Sequence, residues 1–232
     1  MRNRYISQSA IKDFISCSKK YYYRVNFSEE AEKTIEMNIG LAVHEILEKY
    51  WHDSKEAVSN SDPILNKYGI SDARNKNKVF FLIENYFDRF YHMVSEDDII
   101  EKMFTVPYKD NIFLTGKFDR INPKTDLVID WKTGSLYYNY SQDIQAIMYY
   151  TCYKTLFGKY PKVVYLSLKD SNMKIYTPDN LYIDMLYTEI LPDMINAINS
   201  NSFVHTGFFN NSCRYCSFKN LCHKELGVKN DN

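Results

Sequence analysis

Apolar residues recur at helical spacing over the first hundred positions and then give way to short runs and alternations. Ile11, Phe14 and Ile15 form one face behind Ser7 or Ser9, either of which can cap, and predict a helix within 5–24. Ile35, Ile39, Val43, Ile46 and Tyr50 predict a second helix over 31–51. Residues 52–74 are polar, with Pro63 and Gly69, and read as a loop-rich helical insert before an amphipathic helix over 76–94. Strand signals follow. Met103–Tyr108 and Ile112–Ile121 flank Lys109-Asp110-Asn111 and should pair as a hairpin. Asn122-Pro123-Lys124-Thr125 makes a second turn and Leu127–Lys132 a third strand. Helix returns over Ser141–Phe157, then a strand over Lys162–Leu168 and a last helix over 180–200; the tail from Phe203 reads as irregular.

Helices, three strands, helix, strand, helix and tail describe one α/β domain of 232 residues, with no repeat. Its helical part covers 1–100, its αβ core 101–170 and a cysteine-rich tail 203–225. The formal net charge is zero, so any nucleic-acid path must be a local basic stripe. With 21 Tyr and 14 Phe the chain is rich in rings that can stack on bases, although most should be ordinary filling. No stretch is long and apolar enough to span a membrane, and Met1-Arg2-Asn3-Arg4-Tyr5 is not followed by a signal core. A cytoplasmic protein without a membrane partner is expected.

The chemistry concentrates on two strand-like segments, Gly116-Lys117-Phe118-Asp119-Arg120 and Leu127-Val128-Ile129-Asp130-Trp131-Lys132-Thr133-Gly134. Alternate strand residues share a face, so Asp130 and Lys132 point the same way. Two carboxylates and a lysine suit a hard cation and a phosphate. Asp119, Asp130 and the Trp131 carbonyl can hold Mg2+ or Mn2+, and Lys132 can hold the attacking water or a phosphate oxygen. The bland alternative is two carboxylates on a solvated strand, but Asp130 follows an apolar run typical of buried strands. His44 lies on the second helix with Gly40 and Glu48 one turn away on the same face, and its imidazole can be a further metal ligand. Gln145 and Tyr149 share a face of the helix after the third strand and can meet a phosphate or a base.

Cys213-x2-Cys216-x5-Cys222 is a compact group of thiols, and Cys17 stands far away in sequence. Four thiolates can hold zinc or a 4Fe–4S cluster. The three-plus-one arrangement favours the cluster, whereas His223 could complete a zinc site. A cluster tying Cys17 to the tail would staple the two ends of the chain together, and Arg214 and Lys219 between the ligands could sit beside DNA. Cys152 reads as a buried apolar cysteine.

Together these segments resemble the PD-(D/E)XK nuclease superfamily, in its RecB-like iron–sulfur branch, which includes the AddB nuclease domain and CRISPR-associated iron–sulfur exonucleases. The matching pieces are Ser7-x-Ser9 with Phe14-x2-Cys17 and Lys20-Tyr21-Tyr22-Tyr23, Gly40-x3-His44, Gly116-x2-Asp119, Asp130-x-Lys132-Thr133-Gly134, Gln145-x3-Tyr149 and the terminal cysteines. Ser18 stands where the family usually has proline, and Trp131 where it usually has tyrosine. The resemblance implies a restriction-endonuclease-like mixed sheet flanked by helices. It implies His44, Asp119 and Asp130 as metal ligands, Lys132 as catalytic lysine, and Cys17, Cys213, Cys216 and Cys222 as 4Fe–4S ligands. The expected activity is Mg2+- or Mn2+-dependent DNA cleavage, exonucleolytic and favouring single-stranded ends, in recombination and repair, phage DNA metabolism or CRISPR spacer processing. A helicase or a CRISPR-adaptation protein is a possible partner. The rival readings are a non-cleaving DNA-binding subunit and a nucleic-acid-binding module built on a four-cysteine zinc site.

Overall fold

A computed structural model describes residues 3–136 and 140–227. Met1 and Arg2, which open the segment expected to lack a signal core, lie outside them. The chain starts with a strand, β1 (Arg4–Ser7), where a helix was expected. Ser7 then caps α1 (Gln8–Ser16), its hydroxyl accepting the Ala10 N–H at 3.2 Å. The expected single helix breaks at Cys17, whose extended backbone (φ −168°, ψ 115°) separates α1 from α2 (Ser18–Asn26).

Thr34 caps α3 (Ile35–Tyr50), which buries Ile39, Val43 and Ile46 as its spacing predicts, with Leu47 added and Ile35 and Tyr50 only partly buried. The polar insert forms two short helices, α4 (Ser54–Ser59) and α5 (Asp62–Lys67), and α6 (Ala73–Asn85) continues into a π-helical turn over Tyr86–Phe90. The hairpin follows as β2 (Ile99–Lys109) and β3 (Ile112–Asn122), then β4 (Leu127–Lys132), α7 (Ile144–Phe157) and β5 (Lys162–Ser167). A short edge strand that the sequence did not announce, β6 (Met173–Ile175), precedes α8 (Asn180–Met185) and α9 (Leu191–Ser200), joined by a π-helical turn over Leu186–Ile190. The tail is more regular than expected: it ends in α10 (Lys219–Glu225), which bears Cys222. Among the described residues no helix is long and apolar enough to cross a membrane.

The described strands form one mixed sheet. β3 pairs with β2 along its length on one edge. On its other edge it pairs with β1 over Ile112–Thr115 and with β4 over Arg120–Asn122, so Gly116–Asp119 lack a strand there. β5 runs parallel to β4, and α7 makes the crossover between them. Alternation along β5 sends Val163 and Tyr165 into the core under α1 and α7, and Val164 and Leu166 into the core under α3 and α6. One sheet thus separates two apolar layers, and the opening in its middle faces both.

Gly116 sits at that opening for a steric reason. A Cβ built on it would fall 2.5 Å from Cζ of Phe104, a ring 2 % exposed and 4.6 Å from Phe118. Gly116→Ala is therefore expected to destabilise the fold by about 1–3 kcal/mol, as overpacking does. A urea midpoint equal to that of the parent protein would show that the Phe104 ring yields freely.

Candidate active site

The two strands β3 and β4 separate beyond the Arg120–Ile129 pair, which leaves backbone groups without ladder partners. Side chains take their place. Asp119 Oδ2 accepts the Trp131 N–H at 2.9 Å, bridging the gap from β3 to β4. The Tyr149 hydroxyl, reaching up from α7, lies 2.8 Å from the Lys117 carbonyl and 3.1 Å from Asp130 Oδ1. Gln145 joins them: its Nε2 donates to Asp130 Oδ1 at 2.6 Å and its Oε1 accepts from Lys132 Nζ at 2.7 Å. Lys132 Nζ lies 2.7 Å from Asp130 Oδ2. Asp130, 1 % exposed, is thus held on Oδ1 by hydrogen bonds from α7 and on Oδ2 by its ion pair with Lys132.

His44 enters from the opposite layer on α3. Its Nε2 is 3.1 Å from the Trp131 carbonyl, and its Nδ1 is 3.6 Å from Asp119 Oδ2 and 3.9 Å from Glu101 Oε1. Gly40, one turn earlier, clears the approach. A Cβ there would stand 3.3 Å from Thr133 Oγ1, so its neighbour is the side chain at the end of β4. His44, Asp119, Asp130, Trp131, Lys132 and Gln145 line one cleft of about 400 Å3 together with Lys12, Tyr140 and Asp143.

The structure therefore brings together every strand and helix residue singled out around the carboxylates, with Tyr149 behind them. It adds Glu101, which sequence reading missed. Glu101 and Asp119 fall between the Ile100–Arg120 and Lys102–Phe118 pairs of the β2–β3 ladder, and Glu101 adopts φ 53°, left-handed backbone that a non-glycine residue rarely holds without cause. Its side chain is 5 % exposed and ion-paired with Lys117. The expected strand began at Met103, whereas β2 starts at Ile99, so Glu101 lay outside the expected hairpin. His44, Glu101 and Asp119 have ligand atoms within 4.8 Å of one another, a group able to hold a metal ion. The nitrogen and oxygen donors fit Mn2+ and Mg2+, and the adjacent Trp131 carbonyl offers a further oxygen.

Electrostatics agrees with such a site. Burial, then the Asp130 charge, pushes Asp119 up to about 7, with His44 opposing. Burial would lower His44, but Asp119, Glu101 and Asp130 overcome it and raise the imidazole to about 9. Lys132 likewise stays cationic, since Asp130 outweighs its desolvation. Without a metal, an imidazolium occupies the position among the carboxylates that a divalent ion would compete for.

The four cysteines Cys17, Cys213, Cys216 and Cys222 line a second, small cavity with Lys19, Lys20, Lys219 and His223. The break at Cys17 presents it to the tail. Gly207 makes this contact close: a Cβ there would lie 3.0 Å from Cys213 Sγ and 3.4 Å from Cys17 Cβ. Ser18 accepts the Val204 N–H at 2.8 Å, so the residue that departs from the expected proline tethers the tail. Tyr23 donates to Glu225 at 2.7 Å and packs with Phe218 and Cys222. Burial, then the neighbouring cysteines, raises the Cys213 thiol; burial also raises Cys222. Cys152 lies elsewhere, buried in α7 and pushed up to about 12 by burial.

Two carboxylates and a lysine therefore stand together where the sheet splits. The chain matches the PD-(D/E)XK nuclease superfamily model over residues 5–223, and it belongs to that superfamily. A crystal structure of a Eubacterium rectale protein named as a candidate exonuclease is similar in fold, with a TM-score of 0.63 at 13 % identity, covering 87 % of this chain and 84 % of that one. No curated protein sequence matches.

The shifted groups set a pH dependence. Asp119 rises from 3.8 to about 7 and His44 from 6.5 to about 9, so the metal-free folded protein binds more protons than the unfolded chain. Their stabilisation is present below the unfolded values and is lost as pH rises through the folded ones. Thermal melts of the metal-free protein should show stability falling relative to Asp119→Asn between about pH 4 and 7. Added Mn2+ should raise the melting temperature more at higher pH, since binding displaces protons. A Mn2+ shift independent of pH would contradict this arrangement.

Proposed function

We propose that the chain is a metal-dependent deoxyribonuclease that acts on single-stranded DNA ends, its terminal segments stapled by a structural 4Fe–4S cluster. The observation that carries the hydrolytic reading is the convergence of Asp119, Asp130, Lys132 and His44 in one cleft at the strand split. His44, Asp119, Asp130 and the Trp131 carbonyl are the ligands we assign to Mg2+ or Mn2+, with Glu101 beside them. The bound ion would supply an activated water and offset charge on the phosphate.

This chain's side chains divide the remaining work. Lys132 is cationic and fixed by Asp130 and Gln145, so it suits stabilisation of a phosphate oxygen rather than proton abstraction. Gln145 and Tyr149 hold Asp130 in orientation, and Asp119 keeps β4 in place through Trp131 N–H. The rival reading of a non-cleaving subunit requires loss of one of these groups, and all are present.

The cysteine cavity fits a cluster in donor chemistry and in charge. Four thiols from both ends of the chain face one space, and Lys19, Lys20 and Lys219 border it. A cluster there would supply covalent closure between α2 and the tail. The three-plus-one origin of the thiols favours 4Fe–4S, whereas His223 on the same cavity keeps zinc as the alternative. Preference for DNA ends rests on this closure, which suits threading of one strand past the cleft. A helicase or CRISPR-adaptation partner is compatible with the fold.

Lys132→Ala should lower cleavage of end-labelled DNA in Mn2+ by about a hundredfold or more while the protein stays folded; retention of full activity would sink the assignment. Anaerobically purified protein should be brown and contain iron. Cys17→Ser and Cys222→Ser should each bleach it, and a colourless protein carrying zinc would favour the zinc site.

A further inference from the structure

We propose that Lys12 and Lys117 anchor the substrate, gripping phosphates on either side of the scissile one. The inference rests on the nuclease reading above and extends it to how DNA is held. With no net charge on the chain, binding must come from a few placed cations. Lys132 is committed to the reacting centre, bound to Asp130 and Gln145. Two other lysines border that centre from different elements.

Lys12 projects from α1 into the cleft, where its side chain remains 41 % exposed. Its Nζ lies 3.2 Å from Asp143 Oδ2. Asp143 does not depend on it: Oδ1 caps α7 by accepting the Gln145 and Ala146 N–H groups at 2.8 and 3.1 Å, and takes the Tyr165 hydroxyl at 3.2 Å. Lys117 precedes Asp119 by two residues on β3, so the two share a face. Two strand residues span about 6.6 Å, close to the step between neighbouring phosphates. The Lys117 side chain is 42 % exposed and its Nζ pairs with Glu101.

The carboxylates are the buried halves of these pairs, Asp143 15 % and Glu101 5 % exposed, while each half-exposed ammonium has three N–H donors, so a phosphate oxygen can join the carboxylate on the lysine without displacing it. The two lysines are also on opposite sides of the carboxylates, Lys12 towards the start of α7 and Lys117 towards β2. A strand running across the split would meet Lys12, the metal-binding group and Lys117 in turn.

The test uses the full-length protein and a single-stranded oligonucleotide. Fluorescence anisotropy without divalent ions gives Kd and its salt dependence, and cleavage in Mn2+ gives KM and kcat. Lys12→Ala and Lys117→Gln should each weaken binding about three- to tenfold and reduce the salt slope by about 0.7, the value of one phosphate contact on a single strand. The glutamine keeps a donor for Glu101 and so protects the fold. The loss should fall on KM, with Lys12→Arg restoring it. Lys159→Ala, on an exposed lysine beside Asp126, should match the parent protein. If the parent protein cleaves but the two variants keep its Kd, KM and salt slope, the anchoring role is wrong and the nuclease reading stands. A loss confined to kcat would overturn the anchoring role as well. If the parent protein neither binds nor cleaves, the nuclease reading itself fails.

Discussion

The separation of β3 from β4 is the constraint on which the site depends. A buried strand edge without a partner leaves backbone groups that cost free energy unless something bonds to them. At this opening the partners are Asp119 for the Trp131 N–H and Tyr149 for the Lys117 carbonyl. The same carboxylate that belongs to the group able to hold a metal ion thus holds the sheet open at a fixed width. Structural and chemical roles are not separable at these residues, and this explains why Gln145 and Tyr149 sit on the crossover helix: α7 is the element that can reach the gap from below.

Opening the sheet concentrates charge in a poorly solvated place. Asp119, Asp130 and Glu101 are each nearly buried, and isolated carboxylates there would be costly. His44, Lys132 and Lys117 answer them one for one. The balance is local, which reconciles a chain of zero net charge with a site built to meet a polyanion. A second buried pair, Arg120 with Asp98, lies just past the split, with the Arg120 guanidinium near the Trp131 ring. It fixes the residue after Asp119 much as Asp119 fixes Trp131.

Much of this was legible in the sequence because it follows local rules. The β2–β3 hairpin, β4 and α7 were marked by turn residues and apolar period, and the spacing of Asp130 and Lys132 gave their shared face. What escaped needed tertiary information. β1 was hidden because Tyr5 and Ile6 fit a helical pattern, and only pairing with β3 makes them a strand. Cys17 breaks α1 from α2 without glycine or proline to signal it, its N–H still bonded to the Asp13 carbonyl at 2.9 Å. Glu101 was lost because the start of β2, before Met103, carries no apolar alternation to mark it as strand, and Lys12 was lost to its place on a helix whose apolar face drew attention instead. The tail helix was masked by its short length.

The two ends of the chain meet through contacts that do not need a cluster. Ser18 bonds Val204, Ser212 Oγ donates to the Ser16 carbonyl at 3.1 Å, and Glu32 N–H reaches the Ser217 carbonyl at 2.9 Å. Tyr23 and Phe218 add an apolar seam. These bonds bring Cys17 to the cavity that the three tail cysteines line, so the ordering entropy of that approach is met largely by the fold. Because α1 carries Lys12 into the cleft and ends at Cys17, whatever fixes Cys17 also fixes one wall of the candidate active site. The cysteine cavity and the cleft are therefore joined through α1, and the order of the first depends on the same capping and packing that shape the second.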